Sequence, residues 1–184
     1  MRRLKRETAL LAVIDVQEKF ASVIDDFDEM QKNVERLIRG CHLLGVPAAL
    51  TEQYPKGLGK TVEGLMKTIE ETYATRPVQK MSFSSHGCAE FADQLERAGR
   101  KQILLAGIEA HVCIWQTAVD LLDGGYEVHV VADAVSSRSP RNRDIALRRM
   151  EGEGAKITST EMALFEMTVQ AGTDEFKAIS KLVR

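Results

Sequence analysis

The sequence predicts an α/β protein: a parallel sheet with helices on both faces. Three observations carry that reading. Ile103, Leu104, Leu105 and Ala106 form an unbroken apolar run that stops at Gly107, as a strand covered on both faces does. Directly after it, Ile114, Ala118, Leu121 and Leu122 recur at helical spacing. Strand-like and helix-like stretches alternate along the rest of the chain through short connections and without an internal repeat, the pattern of successive βα units.

Taken in order, Thr8 to Ile14 is a short apolar run ending at Asp15 and reads as the first strand. Met30, Val34, Leu37, Ile38 and Leu44 form a helical stripe over Phe27 to Leu44, closed by Gly45. Val46 to Leu50 is the second strand, and TEQYPKGLGK after it, with a proline and two glycines, is a loop. Thr61 to Thr72 is a short helix and Pro77 to Lys80 a short third strand. Cys88 to Ala98 is the helix that leads into the central strand. Tyr126 to Ala132 is the fifth strand, Pro140 to Glu151 a helix with proline in its first turn, and Ala155 to Thr158 the sixth strand. Helices over Ser159 to Gln170 and Thr173 to Leu182 finish the chain.

A length of 184 residues suits one domain with a sizeable core and is short for two. The net charge of -2 and pI near 6.1 argue against nucleic acid or a membrane surface as partner. MRRLKR is too short for a targeting sequence and ALLAVI too short to span a bilayer, so a cytoplasmic place is expected. Three cysteines, Cys41, Cys88 and Cys113, have no CxxC spacing, which suggests neither a disulfide framework nor a zinc site. Cys41 and Cys88 lie in helical segments among apolar neighbours and read as structural.

Strand ends hold the chemistry. Asp15 follows the first strand, Lys80 ends the third, and Cys113 opens the helix after the fourth. In a doubly wound sheet the loops at the carboxyl ends converge on one crevice, so a carboxylate, an ammonium and a thiol meet there. In the first turn of a helix the thiol is expected to lean towards thiolate, beside free N–H groups and the positive end of the dipole. Each residue alone has a plain alternative: a turn cap, a solvated charge, a small buried hydrophobe.

The stretches AVIDVQEKF, LTEQYPKGLG, QKMSFS, GIEAHVCIWQTAVDLLDGGYEVHVVADAVSSRS and RRMEGEGAKITSTE resemble the isochorismatase-like cysteine hydrolases, a family that includes nicotinamidases and N-carbamoylsarcosine amidohydrolase. The likeness runs from Ala12 to Glu161 and is nearest to the isochorismatase domain-containing proteins. It implies a three-layer α/β/α domain over 1–184 with six parallel strands in the order 3-2-1-4-5-6, and a homo-oligomer, whether dimer, tetramer or larger. It also implies a catalytic triad of Asp15, Lys80 and Cys113. Cys113 attacks an electrophilic carbon, Asp15 exchanges the proton, and Lys80 holds the pair. A cis peptide between Ile108 and Glu109 is implied too, with the N–H groups of Glu109 and Cys113 as an oxyanion hole.

The departures narrow the chemistry. Metal-dependent nicotinamidases carry Asp-x-His-x-x-His after the second strand, where this chain has TEQYPKGLGK, so no metal and no other cofactor is expected. True isochorismatases lack the cysteine. The expected substrate is therefore a small amide, carbamoyl or ureido compound. Gln17 and Gln53 are placed to read its carbonyl or amine, Phe20, Tyr54 and Phe83 to wall the pocket, and Ile108 and Glu109 to line it. Two roles are open for the Glu109 side chain: recognising an amine, or turning away to a helix N-terminus. His111 is set aside as the base, and the run Arg138, Arg141, Arg143, Arg148 and Arg149 reads as a solvated face or subunit contact. Two alternatives to the enzyme are a silent descendant that binds a partner and a thiol sensor. Dinucleotide binding is set aside because no G-x-G-x-x-G follows the first strand.

Overall fold

The structure, a computed structural model, describes residues 3–73 and 75–184. Its six strands are β1 (Ala9–Ile14), β2 (Ala48–Gln53), β3 (Val78–Lys80), β4 (Gln102–Ile108), β5 (Glu127–Ser136) and β6 (Lys156–Thr158). They form one sheet in the order β3-β2-β1-β4-β5-β6, with every pairing parallel. The helices are α1 (Phe27–Leu43), α2 (Pro55–Leu58), α3 (Glu63–Thr72), α4 (Ala89–Ala98), α5 (Trp115–Asp123), α6 (Pro140–Gly152), α7 (Thr160–Thr168) and α8 (Asp174–Leu182). None among the described residues is long and apolar enough to cross a membrane.

Strand periodicity divides the core in two. Leu11 and Val13 of β1 and Leu104, Ala106 and Ile108 of β4 face the layer built by α1, α3, α7 and α8. Leu10, Ala12 and Ile14, with Ile103 and Leu105, face α4, α5 and α6. Both central strands are buried along their whole length, which explains their unbroken apolar runs. Each fully buried Leu or Ile contributes about 1.5–3 kcal/mol of transfer free energy, so these two layers dominate the stability.

The strand order reverses between β1 and β4, and open α/β sheets form a crevice at that point. Gly107 is what lets the two strands meet there. Its φ is +113°, and a Cβ at this position would lie 2.1 Å from the carbonyl oxygen of Ile14, its partner in the ladder. Only a residue without a side chain fits.

Three segments differ from the sequence reading. β2 runs through Thr51, Glu52 and Gln53, which the polar composition had assigned to the loop. All three are nevertheless buried, because they pair with β1 and β3 while their side chains make polar contacts. Pro55–Leu58 forms a short helix inside that loop, with Pro55 at its first position. β5 extends past Ala132 to Ser136, where Ser136 pairs with Ile108 at the end of β4.

Candidate active site

Asp15 is the first residue past β1, at φ +54°, a left-handed conformation that aspartate tolerates better than most side chains. Its backbone N–H donates to the carbonyl of Thr51 at 3.2 Å, so β2 fixes the turn. Its Oδ1 accepts a 2.7 Å hydrogen bond from the Thr51 hydroxyl. Oδ2 lies 2.7 Å from Lys80 Nζ, with both side chains shut off from solvent. Lys80 Nζ also donates to Gln53 Oε1 at 2.7 Å, to the Ser82 carbonyl at 3.1 Å and to the Phe83 carbonyl at 3.0 Å, so the ammonium is held by four oxygens.

Cys113 sits within hydrogen-bonding reach of the same carboxylate. It belongs to a π-helical turn, Ala110–Ile114, that precedes α5, a form of helix that recurs at functional sites. Only 6 % of the residue is exposed. The expected thiolate character is absent: burial, and then the charge of Asp15, push the thiol up to about 12, against the opposing pull of Lys80. Asp15 is itself raised above the usual carboxylate range, first by burial and against the stabilising charge of Lys80. The resting pair is thus a thiol beside a carboxylate of increased basicity.

The peptide bond between Ile108 and Glu109 is cis. The Glu109 N–H donates to nothing among the described residues, while its carbonyl accepts from Val112 and Ile114 and starts the π-helical turn. Its side chain, 5 % exposed, turns to Arg138, accepting from the Arg138 backbone N–H at 3.0 Å and from Nε at 3.0 and 3.2 Å. This contact is neither of the two roles expected for Glu109, since its partner Arg138 precedes α6 and is not in a helix.

The other expected pocket residues divide sharply. Gln17 is a strut: its Nε2 donates to the carbonyls of Gln53 and Gly59 at 3.0 and 2.7 Å, and its Oε1 accepts from Gln53 N at 2.8 Å. Gln53 holds Lys80 and donates to the Met81 carbonyl at 2.9 Å. Both hydrogens of the Gln17 amide are taken by backbone carbonyls, while the Gln53 amide spends one of its two on Met81. Ile108 is wholly buried in the core layer of α1. Phe20 is partly buried against that same layer. Tyr54 and Phe83 stand 46 % and 54 % exposed, and Met81, next to Lys80 in the chain, 70 %. His111 is engaged through Nδ1 with Ser137 Oγ at 2.9 Å.

Sequence reasoning missed Thr51, which steadies Asp15, and Ser85, whose hydroxyl is 3.5 Å from that of Thr51. It also missed Thr117, one turn after Cys113, which accepts from Ser85 N at 2.8 Å and ties the Ser82–Ser85 loop to α5. A polar residue ending a buried strand was the available signal for Thr51.

Residues 8–162 match the isochorismatase domain family. The chain belongs to the isochorismatase family. This family of hydrolases includes a secreted isochorismatase effector, Isc1, of Phytophthora sojae, 41 % identical over 99 % of this chain and 87 % of its own. Isochorismatase domain-containing protein 2 of Danio rerio is 41 % identical over 98 % of this chain and 89 % of its own. Among solved isochorismatase folds, the MAR1 ribonuclease of Caenorhabditis elegans superposes with a TM-score of 0.92 at 40 % identity, over 99 % of this chain and 92 % of that one. YcaC of Pseudomonas aeruginosa, described with covalent acrylamide, has a TM-score of 0.88 at 26 % identity, over 98 % and 91 % of the two chains.

Proposed function

We propose that this isochorismatase-family chain is a metal-independent cysteine hydrolase acting on a small amide, carbamoyl or ureido compound through Asp15, Lys80 and Cys113. The observation that carries the reading is the buried Asp15 carboxylate, charge-paired with Lys80 at 2.7 Å and within hydrogen-bonding reach of a buried thiol.

In the first half of the reaction Asp15 takes the thiol proton as the sulfur bonds to the substrate carbon. The carbonyl oxygen becomes an oxyanion directed at the N–H groups of Glu109 and Cys113. Collapse expels the amine, which takes the proton back from Asp15, and leaves an acyl or carbamoyl group on sulfur. Water then attacks that carbon, its proton passing to Asp15, and the released sulfur recovers the proton. Lys80 favours the ionised form of Asp15 before each proton transfer and steadies the negative charge as it leaves the carboxylate. A thiol raised to about 12 suits this base-coupled route and argues against a freely ionised sensor cysteine. The covalently bound acrylamide in the P. aeruginosa relative supports an amide-sized electrophile.

Incubation with a panel of small amides, carbamoyl compounds and ureides, read by intact mass and by product release, tests the proposal. A transient adduct on Cys113 with turnover that disappears in Cys113→Ser and Asp15→Asn is the expected result; silence across the panel overturns it. RNA belongs on the same panel because a 40 % identical relative is described as a ribonuclease. RNA cleavage abolished by Asp15→Asn would replace the amidase reading.

A further inference from the structure

We infer that the cleft between β2 and α3 is a second binding site, one that takes an aliphatic amine with more than one ammonium group and seats one of them on Glu52.

Three carboxylates are buried among the described residues, those of Asp15, Glu52 and Glu109. Two of them have a cation: Asp15 faces Lys80 at 2.7 Å and Glu109 faces Arg138 at 3.0 Å. Glu52, 6 % exposed, makes no ion pair among the described residues. Its place in β2 keeps it apart from the triad. Thr51 reaches Asp15 on the side of Ala49 and of α4, α5 and α6, while Leu50 packs into the layer of α1 and α3. Alternation along the strand sends Glu52 to the same side as Leu50. There its Oε1 accepts from Thr61 N at 2.7 Å and from Thr61 Oγ1 at 2.8 Å. Oε2 accepts from nothing among the described residues. A buried carboxylate with one oxygen unmatched and no counter-charge is costly, and a bound cation offsets that cost.

The surroundings select the kind of cation. Glu52 lines a cleft of about 790 Å³, the size of a small-ligand site, together with three more acids, Glu18, Glu63 and Glu70. Glu63 and Glu70 stand two turns apart in α3 with Met66 between them, at the spacing that shares one helix face. Two bases, Lys60 and Arg76, also line the cleft, and neither is ion-paired among the described residues, so carboxylates outnumber cations. The acids do not converge: no three acidic, histidine or cysteine side chains among the described residues are placed to hold one metal ion. Charges that are negative and separate suit positive charges that are separate, joined by methylenes. Met66 and Tyr73, both packed on the core from this wall, offer those methylenes an apolar surface.

Titration calorimetry at low salt, with 1,5-diaminopentane and its neutral counterpart pentane-1,5-diol, tests this without any turnover. The inference therefore stands or falls apart from the hydrolase reading. Saturable binding of the diamine and none of the diol is expected. Glu52→Gln, which keeps an oxygen for Thr61, should weaken the diamine about tenfold or more. Glu70→Gln, at the exposed rim, should weaken it about two- to fivefold. Glu153→Gln, at the end of α6 on the other side of the sheet, should leave it unchanged. Should Glu52→Gln fail to fold by circular dichroism, the comparison of Glu70→Gln with Glu153→Gln decides. Equal heats from diamine and diol, or equal affinities in Glu153→Gln and the folded cleft variants, overturn the inference. So does displacement of the diamine by magnesium chloride where sodium chloride of the same ionic strength fails, since that marks a metal site.

Discussion

Lys80 Nζ and Asp15 Oδ2 face each other at 2.7 Å with at most 1 % of either side chain exposed. The pair is held by its surroundings, and removing one partner strands the other charge. Lys80→Met should therefore destabilise the fold by about 3–5 kcal/mol, and adding Asp15→Asn should recover much of the loss. Urea unfolding of the single and double variants measures both steps; equal stabilities would mean that the charges are not coupled.

Asp15→Asn keeps the shape of the side chain and the oxygen that accepts from Thr51, but not the base. Turnover should fall by about 10²–10⁴-fold while the circular dichroism spectrum stays that of the parent. Cys113→Ser should lose covalent adduct formation altogether.

Burial raises Asp15, and the Thr51 hydroxyl partly offsets that rise by bonding to the charged form. In the proposed mechanism the base is the ionised carboxylate, so the rate should fall as pH drops through a midpoint above the ordinary carboxylate range. Thr51→Val removes the offset and should move that acid limb to higher pH. A pH–rate profile of the two proteins checks the direction; a shift to lower pH would contradict it.

At the opposite end of the sheet His129 is buried, and burial is the main reason that its pKa lies below the ordinary value of 6.5, with the neighbouring Glu127 pulling the other way. Burial raises Glu127, but hydrogen bonds from Lys156, Gln102 and His129 outweigh it and hold the carboxyl at about 2, so it stays charged in mild acid. The unfolded chain binds the histidine proton first as pH falls. Stability attributable to His129 is therefore complete above about pH 6.5 and is lost below it, at up to about 1.4 kcal/mol per pH unit until the folded form also protonates. Melting temperatures from pH 7 to pH 5 should drop less in His129→Gln than in the parent.

Gly107→Ala meets the Ile14 carbonyl at 2.1 Å and forces φ +113° on a side chain. A loss of at least about 3 kcal/mol is expected, read as low soluble yield or an early melt. Gly45→Ala shares the positive φ without the clash and should cost less.

Much of this was legible in the residues themselves. The run from Ile103 to Gly107 and the helical spacing after it located Cys113, because a fully buried strand and an amphipathic helix have different periods. Asp15 and Lys80 stood out as charges ending apolar strands. Strand order came from family resemblance, since pairing between strands far apart in the chain leaves no local trace. Thr51 to Gln53 were read as loop because polar side chains mimic one; their burial depends on partners such as Asp15 and Gln17, which lie 36 positions away. The contacts of Gln17 and Gln53 with backbone and Lys80 were hidden for the same reason, as composition does not tell which partner an amide faces. The π-helical turn and the Glu109–Arg138 grip depend on three-dimensional register and have no sequence signature of their own.

The grip of Gln53, Ser82 and Phe83 on the ammonium has a further consequence for isotopic exchange. Each lysine hydrogen is already directed at an oxygen, and the Thr51 hydroxyl is turned onto the carboxylate, so acylation has a single hydron in flight, the one leaving sulfur. In mixtures of light and heavy water the acylation rate should therefore vary linearly with deuterium fraction, where a relay through the ammonium would bow the plot.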